Sequence, residues 1–435
     1  MAVVAVDNDD DDLYSDPPTD TNLTIVSTRG DLLLSIYDHV QRKSYKYRVE
    51  ADRLRQGSPY FASLLHPDKF AEGSRVCREI AVLRERYSEI ELARPKELPQ
   101  VVISDVGRIS KVNTIKVLAA DFLRALHGQE LSTSNPPIPN LANLTIVADR
   151  FDAIPVLSKF VRKHRFLQTL DAKTNRGTSA NLSEERVRQK LLIGVLLDHG
   201  TWVSMYSKRL ILKNSSRWKP EAPEDHDCAL YWDLPLGIEE EMIQRREYIL
   251  DTLQSIQTHF LRLYTHGERQ CKLGYDSSLQ CDSFQLGEMM RFFHRLDTLP
   301  LRGSIFNPDG PMQYQGDIER LIDTLRQCPE YQIDTNHKHC GLRGRLLPLL
   351  DHIQRYLSLD TANIDIGICA DCWDARRADY SWTDAKRPVI WNASMMSSRP
   401  RAGSDRGHGS LCLTRHLNIR DMFTAVTRDW TSRDV

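Results

Sequence analysis

From residue 22 the apolar positions come in short β-prone runs. Residues 22–27 (NLTIVS) and 32–37 (LLLSIY) are separated by Thr28, Arg29, Gly30 and Asp31, which predicts a hairpin. Residues 45–49 alternate apolar and basic side chains, the two-residue period of a half-buried strand. The period then lengthens. Ser58 can cap a helix, and Pro59 suits its first position, where a missing N–H costs nothing. Phe61, Leu64 and Leu65 follow at three- and four-residue steps, with Leu54 before them, so one face is apolar. Residues 74–98 are highly charged with a weak helical period and predict a solvated insertion. Residues 101–104 (VVIS) read as a strand. Residues 114–126 read as a helix with Ile115, Leu118, Phe122, Leu123 and Leu126 on one side. After a proline-bearing loop, residues 141–151 and 156–166 predict a helical pair broken at Pro155.

Beyond residue 180 the pattern is helical. Asn181, Leu182, Ser183 and Glu184 make a capping-box-like start, and Val187, Leu191, Leu192, Val195 and Leu196 form a stripe after it. Basic and proline residues over 208–223 predict a break, with Trp202, Trp218 and Trp232 packing around it. Residues 239–264 predict a long helix; Glu239, Glu240 and Glu241 suit its positive N-terminal end. The expected organisation is an acidic disordered tail over 1–20, a mixed domain over 21–170 and a helical extension over 180–264. A Cys/His-rich domain over 265–390 and a mostly disordered tail over 391–435 complete it.

Composition narrows the function classes. A formal net charge of −1 over 435 residues leaves no global basic field for nucleic acid or an anionic membrane. The start lacks the basic and long apolar regions of a secretory signal, and no apolar run is long enough for a membrane span. The expected setting is intracellular, cytoplasm or nucleus, where the nine cysteines stay reduced as buried thiols or metal ligands.

Four blocks carry a resemblance: Gly30-Asp31-Leu32-Leu33-Leu34, Leu54 with Ser58-Pro59-Tyr60-Phe61, residues 117–123 (VLAADFL) and Val147-Ala148-Asp149-Arg150-Phe151. With the order strand, strand, S-P-Y-F helix, strand, helix, helix pair, residues 22–170 resemble the BTB/POZ family. That resemblance implies an α+β fold, a small sheet packed with helices, and a protein-binding surface that forms homodimers or holds other proteins. Two departures stand out. Arg48-Val49-Glu50-Ala51 takes the place where the family often has a histidine, and the 74–98 insertion exceeds the usual loop. Phe70-Ala71-Glu72 matches a hydrophobic-x-Glu triplet that in this family can contact a cullin scaffold of ubiquitin ligases, which makes Phe70 and Glu72 candidate partner contacts.

The C-terminal part is predicted to be mainly helical and stabilised by one structural zinc. Cys369 and Cys372 form a C-x2-C pair, and His337 and Cys340 form an H-x2-C pair. The expected set is therefore His337, Cys340, Cys369 and Cys372, a closed site with four protein donors. An alternative set joins Cys271 and Cys281 to His337 and Cys340, with His339 as a further candidate donor. The segment from Cys271 onward, with the later H-x2-C and C-x2-C pairs, resembles the C-terminal region of uncharacterised fungal BTB-domain proteins. No phosphate-binding loop, H-E-x-x-H or G-x-S-x-G motif is present. The function expected is a noncatalytic protein-interaction module. The alternatives are a cullin-ligase substrate adaptor and a metal-dependent enzyme built on His337, His339 and the Asp351-His352 pair.

Overall fold

The computed structural model describes residues 22–110, 115–176, 182–219, 228–273, 278–296, 314–358, 366–392 and 408–431. The acidic tail expected over 1–20 lies outside them, as do residues 393–407. The chain divides into two compact units. The first is Met1–Gly107, Lys111–Pro136 and Ile146–Arg165; the second is Arg108–Ser110, Pro137–Thr145 and Phe166–Val435. The fold is α+β, with a small mixed sheet in the first unit and mainly helix in the second.

The sheet of the first unit contains β1 (Leu23–Ile25), β2 (Leu32–Asp38), β3 (Lys43–Val49) and β4 (Gln100–Ile103) in the order β1-β3-β2-β4. The expected hairpin between the first two strands is not formed. β2 pairs antiparallel with β3, β1 runs parallel to β3, and β4 runs parallel to β2. The tight turn falls after Asp38, whose carboxylate accepts the N–H groups of Val40 and Gln41 at 2.9 Å each; Arg42 then takes a positive φ of 51°. The Gly30 region instead carries the chain across from β1. A Cβ on Gly30 would sit 2.7 Å from Arg48 Cγ and 2.9 Å from the Val49 nitrogen, so only glycine permits this approach. β2 is central and buried on both faces, which explains its unbroken apolar run.

Two short helices, α1 (Ala51–Gly57) and α2 (Pro59–Leu64), follow the sheet. Ser58 caps α2 as its sequence predicts: its Oγ accepts the Phe61 N–H at 3.1 Å and donates to the Phe151 carbonyl at 2.5 Å. Phe61 is fully buried, stacked on Phe151 at 5.2 Å, and Phe122 stacks on Phe151 at 5.4 Å. Tyr60 meets both Phe61 and Phe151 edge-on. Truncating such a buried phenylalanine costs about 3–5 kcal/mol, so this cluster ties α2 to the helices behind it.

The charged insertion is less solvated than its composition suggests. It contains α3 (Ala71–Arg86), whose Val76, Ile80 and Leu83 are buried at four- and three-residue steps. Leu83 packs with Leu33, Ala93 and Leu98 under the sheet. Arginines and glutamates on the outer face mask that stripe in any average over the segment. The unit continues with α4 (Ile115–His127), the end of α5 (Ile138–Arg150) and α6 (Ile154–Lys163). Pro155 lies in the first turn of α6, where a lost N–H is free, rather than interrupting a helix.

In the second unit, α7 (Phe166–Arg176), α8 (Glu184–Leu196) and α9 (Gly200–Lys213) precede the long α10 (Ile238–Thr265). Gly194 lets α8 approach α9; a Cβ there would lie 3.0 Å from Trp202 Cβ. α9 runs on through the basic residues read as a break. Lys208 is buried and donates to the Ser358 carbonyl at 2.6 Å, and the helix ends only at Asn214, with φ 70°. Trp202 packs in the core and donates to Asp171 at 2.8 Å. α11 (Ser278–Arg295), α12 (Ile318–Arg326), α13 (Leu342–Leu357) and α14 (Ala370–Tyr380) follow.

The C-terminal segment is structured over 408–431, contrary to a mostly disordered tail. It forms α15 (His408–Thr424), and β6 (Thr427–Asp429) pairs parallel with β5 (Ile390–Asn392). Met422 and Phe423 are fully buried, Phe423 stacks on Trp382 at 5.5 Å, and Trp391 meets Trp430 edge-on at 5.4 Å. The apolar side chains of this end are few but large, and they offset the polar composition around them.

Candidate metal centres

Among the described residues, two four-donor clusters form in the second unit, each with all ligand atoms within 4.8 Å of one another: Cys271, Cys281, His337 and Cys340, and Cys369, Cys372, Cys412 and His416. Both donor sets, three thiols and one imidazole, can hold a metal ion.

In the first centre, Cys271 lies in the turn before α11 and Cys281 in the opening turn of α11. His337 ends a short helical turn capped by Asp334, whose Oδ1 accepts the Asn336 N–H at 2.8 Å. The Cys340 N–H donates to the His337 carbonyl at 3.0 Å, closing the H-x2-C turn. Gly341 then starts α13 so close to Tyr331 that a Cβ would stand 2.9 Å from its carbonyl oxygen. Gln285 clamps both sides: its amide donates to that same Tyr331 carbonyl at 2.8 Å and its Oε1 accepts the Leu342 N–H at 3.2 Å. All four donors are buried, with Leu273 packed against the thiols.

In the second centre, Cys369 precedes α14 and Cys372 sits in its first turn. The Cys369 N–H donates to the Tyr380 hydroxyl at 2.7 Å, and that hydroxyl donates to the Gly367 carbonyl at 3.2 Å. Cys412 and His416 are four residues apart on α15, so both face the same way. The Tyr380 ring meets His416 edge-on at 5.2 Å. Only Cys372 is buried here; Cys369, Cys412 and His416 are half-buried.

The spacings fit a tetrahedral ion. Bonds of about 2.3 Å to sulfur and about 2.0 Å to nitrogen require edges of about 3.8 Å between sulfurs and about 3.5 Å between sulfur and nitrogen. In the first centre Cys271 Sγ lies 3.8 Å from Cys340 Sγ and 3.5 Å from His337 Nδ1. In the second, Cys412 Sγ lies 3.9 Å from Cys369 Sγ, 3.8 Å from Cys372 Sγ and 3.4 Å from His416 Nε2. Crowding shows in the acidities. Burial and the neighbouring thiols push Cys281 up to about 12, and the same two causes raise Cys372 and Cys369. Burial also acts upward on Cys271, but the Leu273 N–H and the adjoining thiols outweigh it and bring this thiol down to about 7. Three thiolates this close repel one another, and a bound cation removes that penalty.

The two metal-like pairs of the sequence are therefore not brought together. His337 and Cys340 join Cys271 and Cys281, the alternative set, while Cys369 and Cys372 join Cys412 and His416. Each x2 pair supplies half a tetrahedron, and spacing alone does not say which halves meet. His339 is exposed and belongs to neither cluster. Cys328 is buried apart from both, its thiol pushed up to about 12 by burial. Asp351 pairs with Arg326, and the His352 ring packs on Tyr356 and Trp391. Phe70 and Glu72 are both exposed at the start of α3, where Phe70 is the N-cap residue.

No family model, curated protein or solved structure matches this chain. Among the described residues, no helix is long and apolar enough to cross a membrane.

Proposed function

We propose that the protein is a noncatalytic, protein-binding molecule whose second unit is braced by two structural zinc ions. The single observation that carries the zinc reading is the match of both clusters to tetrahedral edges with four protein donors each. Such a closed set leaves no position for a substrate, which favours a structural over a catalytic ion. Zinc suits this set because thiolate and imidazole donors in a tetrahedron select it over harder ions.

The binding role rests on the first unit, read as a BTB/POZ-type domain. Its support is the order of elements and the burial of the S-P-Y-F helix start against Phe122 and Phe151. Both edge strands also present an exposed aliphatic side chain, Ile25 on β1 and Val102 on β4. Among the described residues neither edge is paired further; such edges invite pairing with another chain, and a second copy is the partner we favour. The test is one preparation and two measurements. Elemental analysis of the reduced full chain returns two zincs, and light scattering returns a dimer mass. Metal-free folded protein overturns the first claim; a monomer at high concentration overturns the second.

A cullin scaffold is the second partner class, favoured by the exposure of Phe70, at 51 %, beside Glu72. Replacing both with alanine then abolishes cullin capture and leaves the unfolding midpoint in place, since neither side chain is in the core. Capture that survives the double substitution rejects this partner.

A further inference from the structure

The two centres differ in one respect that decides their chemistry. Every donor of the first is buried, whereas Cys369, Cys412 and His416 of the second are only partly buried. Reactivity toward oxidants follows thiolate character and access; with zinc bound the sulfurs of both centres are thiolates, so access decides, and a buried structural thiolate is inert by comparison. The Sγ atoms of Cys369 and Cys412 are 3.9 Å apart, and a disulfide needs about 2.05 Å, so each sulfur moves by about 1 Å. The elements that carry them do not depend on the ion alone. Ile419, Met422 and Phe423 bury the second half of α15, and Trp382 stacks on Phe423. On the other side, hydrogen bonds through Tyr380 hold the Cys369 turn. Losing the ion therefore leaves the two sulfurs near each other rather than scattering them.

We infer that the second centre is a peroxide-responsive zinc site, in which oxidation exchanges its zinc for a Cys369–Cys412 disulfide. The inference rests on the zinc reading above and adds its regulation. The oxidant is a hydroperoxide. One thiolate attacks the peroxide oxygen, the O–O bond breaks and a sulfenic acid forms. The second thiolate then displaces hydroxide from that sulfur and the S–S bond closes. In sum, two thiolates lose two electrons, the peroxide takes them with two protons, and two waters leave when the oxidant is hydrogen peroxide. The zinc keeps only Cys372 and His416 as donors and departs. A dithiol reductant with added zinc reverses the exchange. α15 stays attached throughout, first through the metal and then through the covalent bond, so the switch changes zinc content without detaching this helix. The first centre, with its thiols out of reach, keeps its ion.

The experiment uses the full chain, purified reduced and zinc-loaded, then desalted and treated with one equivalent of hydrogen peroxide beside a chromophoric zinc chelator. The expected result is release of one of the two zincs. Alkylation and peptide mapping then find the Cys369–Cys412 link, with Cys271, Cys281 and Cys340 still reduced. Dithiothreitol and zinc restore the starting state. A Cys412→Ser variant holds one zinc and releases none with peroxide; should it fail to fold, the map of the unsubstituted protein decides alone. Retention of both zincs, loss of both in a single phase, or a link that omits Cys369 or Cys412 overturns the inference while leaving the zinc reading intact. Absence of zinc from the reduced protein overturns both.

Discussion

Cys281→Ala removes one of the two zincs and unfolds the region around the first centre. Structural zinc sites couple on the order of 10 kcal/mol of binding to folding, as much as the whole stability of an ordinary domain. Cys281 is fully buried and stands between Cys271 and Cys340, and neither alanine nor water can replace its sulfur there. Without the ion the turn at His337–Cys340 and the start of α11 lose the link between their donors; the Gln285, Asp334 and Asp282 hydrogen bonds that remain contribute about 1 kcal/mol each. Hydrogen exchange reads the outcome: amides of α11 and of residues 335–342 lose protection, while those of β2 and β3 keep theirs. Cys328→Ala is the control. This thiol is equally buried but belongs to neither cluster among the described residues, so its loss costs about 1 kcal/mol of packing and no zinc. Full zinc content in Cys281→Ala, or equal effects of the two substitutions, rejects the first centre.

That contrast also marks what the chain discloses before it folds. Cys281 and Cys328 look alike in the sequence; only the turn at 335–340 and the entry to α13 decide which one meets a histidine. The H-x2-C and C-x2-C pairs were legible because a single turn makes each of them. Their pairing was not, because it depends on the tertiary packing that brings Cys369 to Cys412 on α15 rather than to the turn at 335–340. Cys412 and His416 carried a signal too, the four-residue step of a helix face, but their surroundings read as tail. Composition averaged the polar stretch before them with the buried Ile419, Met422 and Phe423 after them. The same averaging hid Val76, Ile80 and Leu83 inside the charged insertion. Ser58, Pro59 and Phe61 were legible because a cap, a first-position proline and a core phenylalanine act within one turn. The pairing of β1 with β3 was not, since parallel register is set by distant packing rather than by a turn.

Glu241→Gln weakens the second centre from a distance, and it destabilises the second unit at the same time. Glu241 is a buried carboxylate on α10 whose two oxygens only accept. Oε1 takes Arg245 Nε at 2.8 Å and the Trp382 N–H at 2.9 Å; Oε2 takes the Ser381 hydroxyl at 2.8 Å and the Thr383 hydroxyl at 3.1 Å. Arg245 Nη2 also lies 2.8 Å from Oε1, angled as an ionic contact rather than a hydrogen bond. Burial acts to raise the pKa of Glu241, but Arg245 and the hydrogen-bond donors outweigh it and hold the carboxyl below the usual carboxylate range. The pair's contribution is therefore present above the unfolded carboxyl's pKa and fades as pH falls through the lower folded value. Glutamine sets an N–H₂ against donors and strands the guanidinium, which costs about 3–5 kcal/mol for a buried pair broken on one side. The damage reaches the metal through Arg245, whose Nη1 holds the Ile366 and Gly367 carbonyls at 2.9 and 2.8 Å. Gly367 and Cys369 share the Tyr380 hydroxyl, so a loosened Arg245 loosens the Cys369 turn. Supports of this kind change metal affinity by about 10–100-fold. Competition with a zinc chelator then shows one ion weakened by that factor and the other unchanged, and urea unfolding shows the stability loss. Replacing Glu241 and Arg245 together with methionine restores part of the stability, because no charge is left stranded, but not the zinc affinity, because the guanidinium no longer holds the Ile366 and Gly367 carbonyls. Equal affinity at both centres in Glu241→Gln rejects the link between this ion pair and the Cys369 turn.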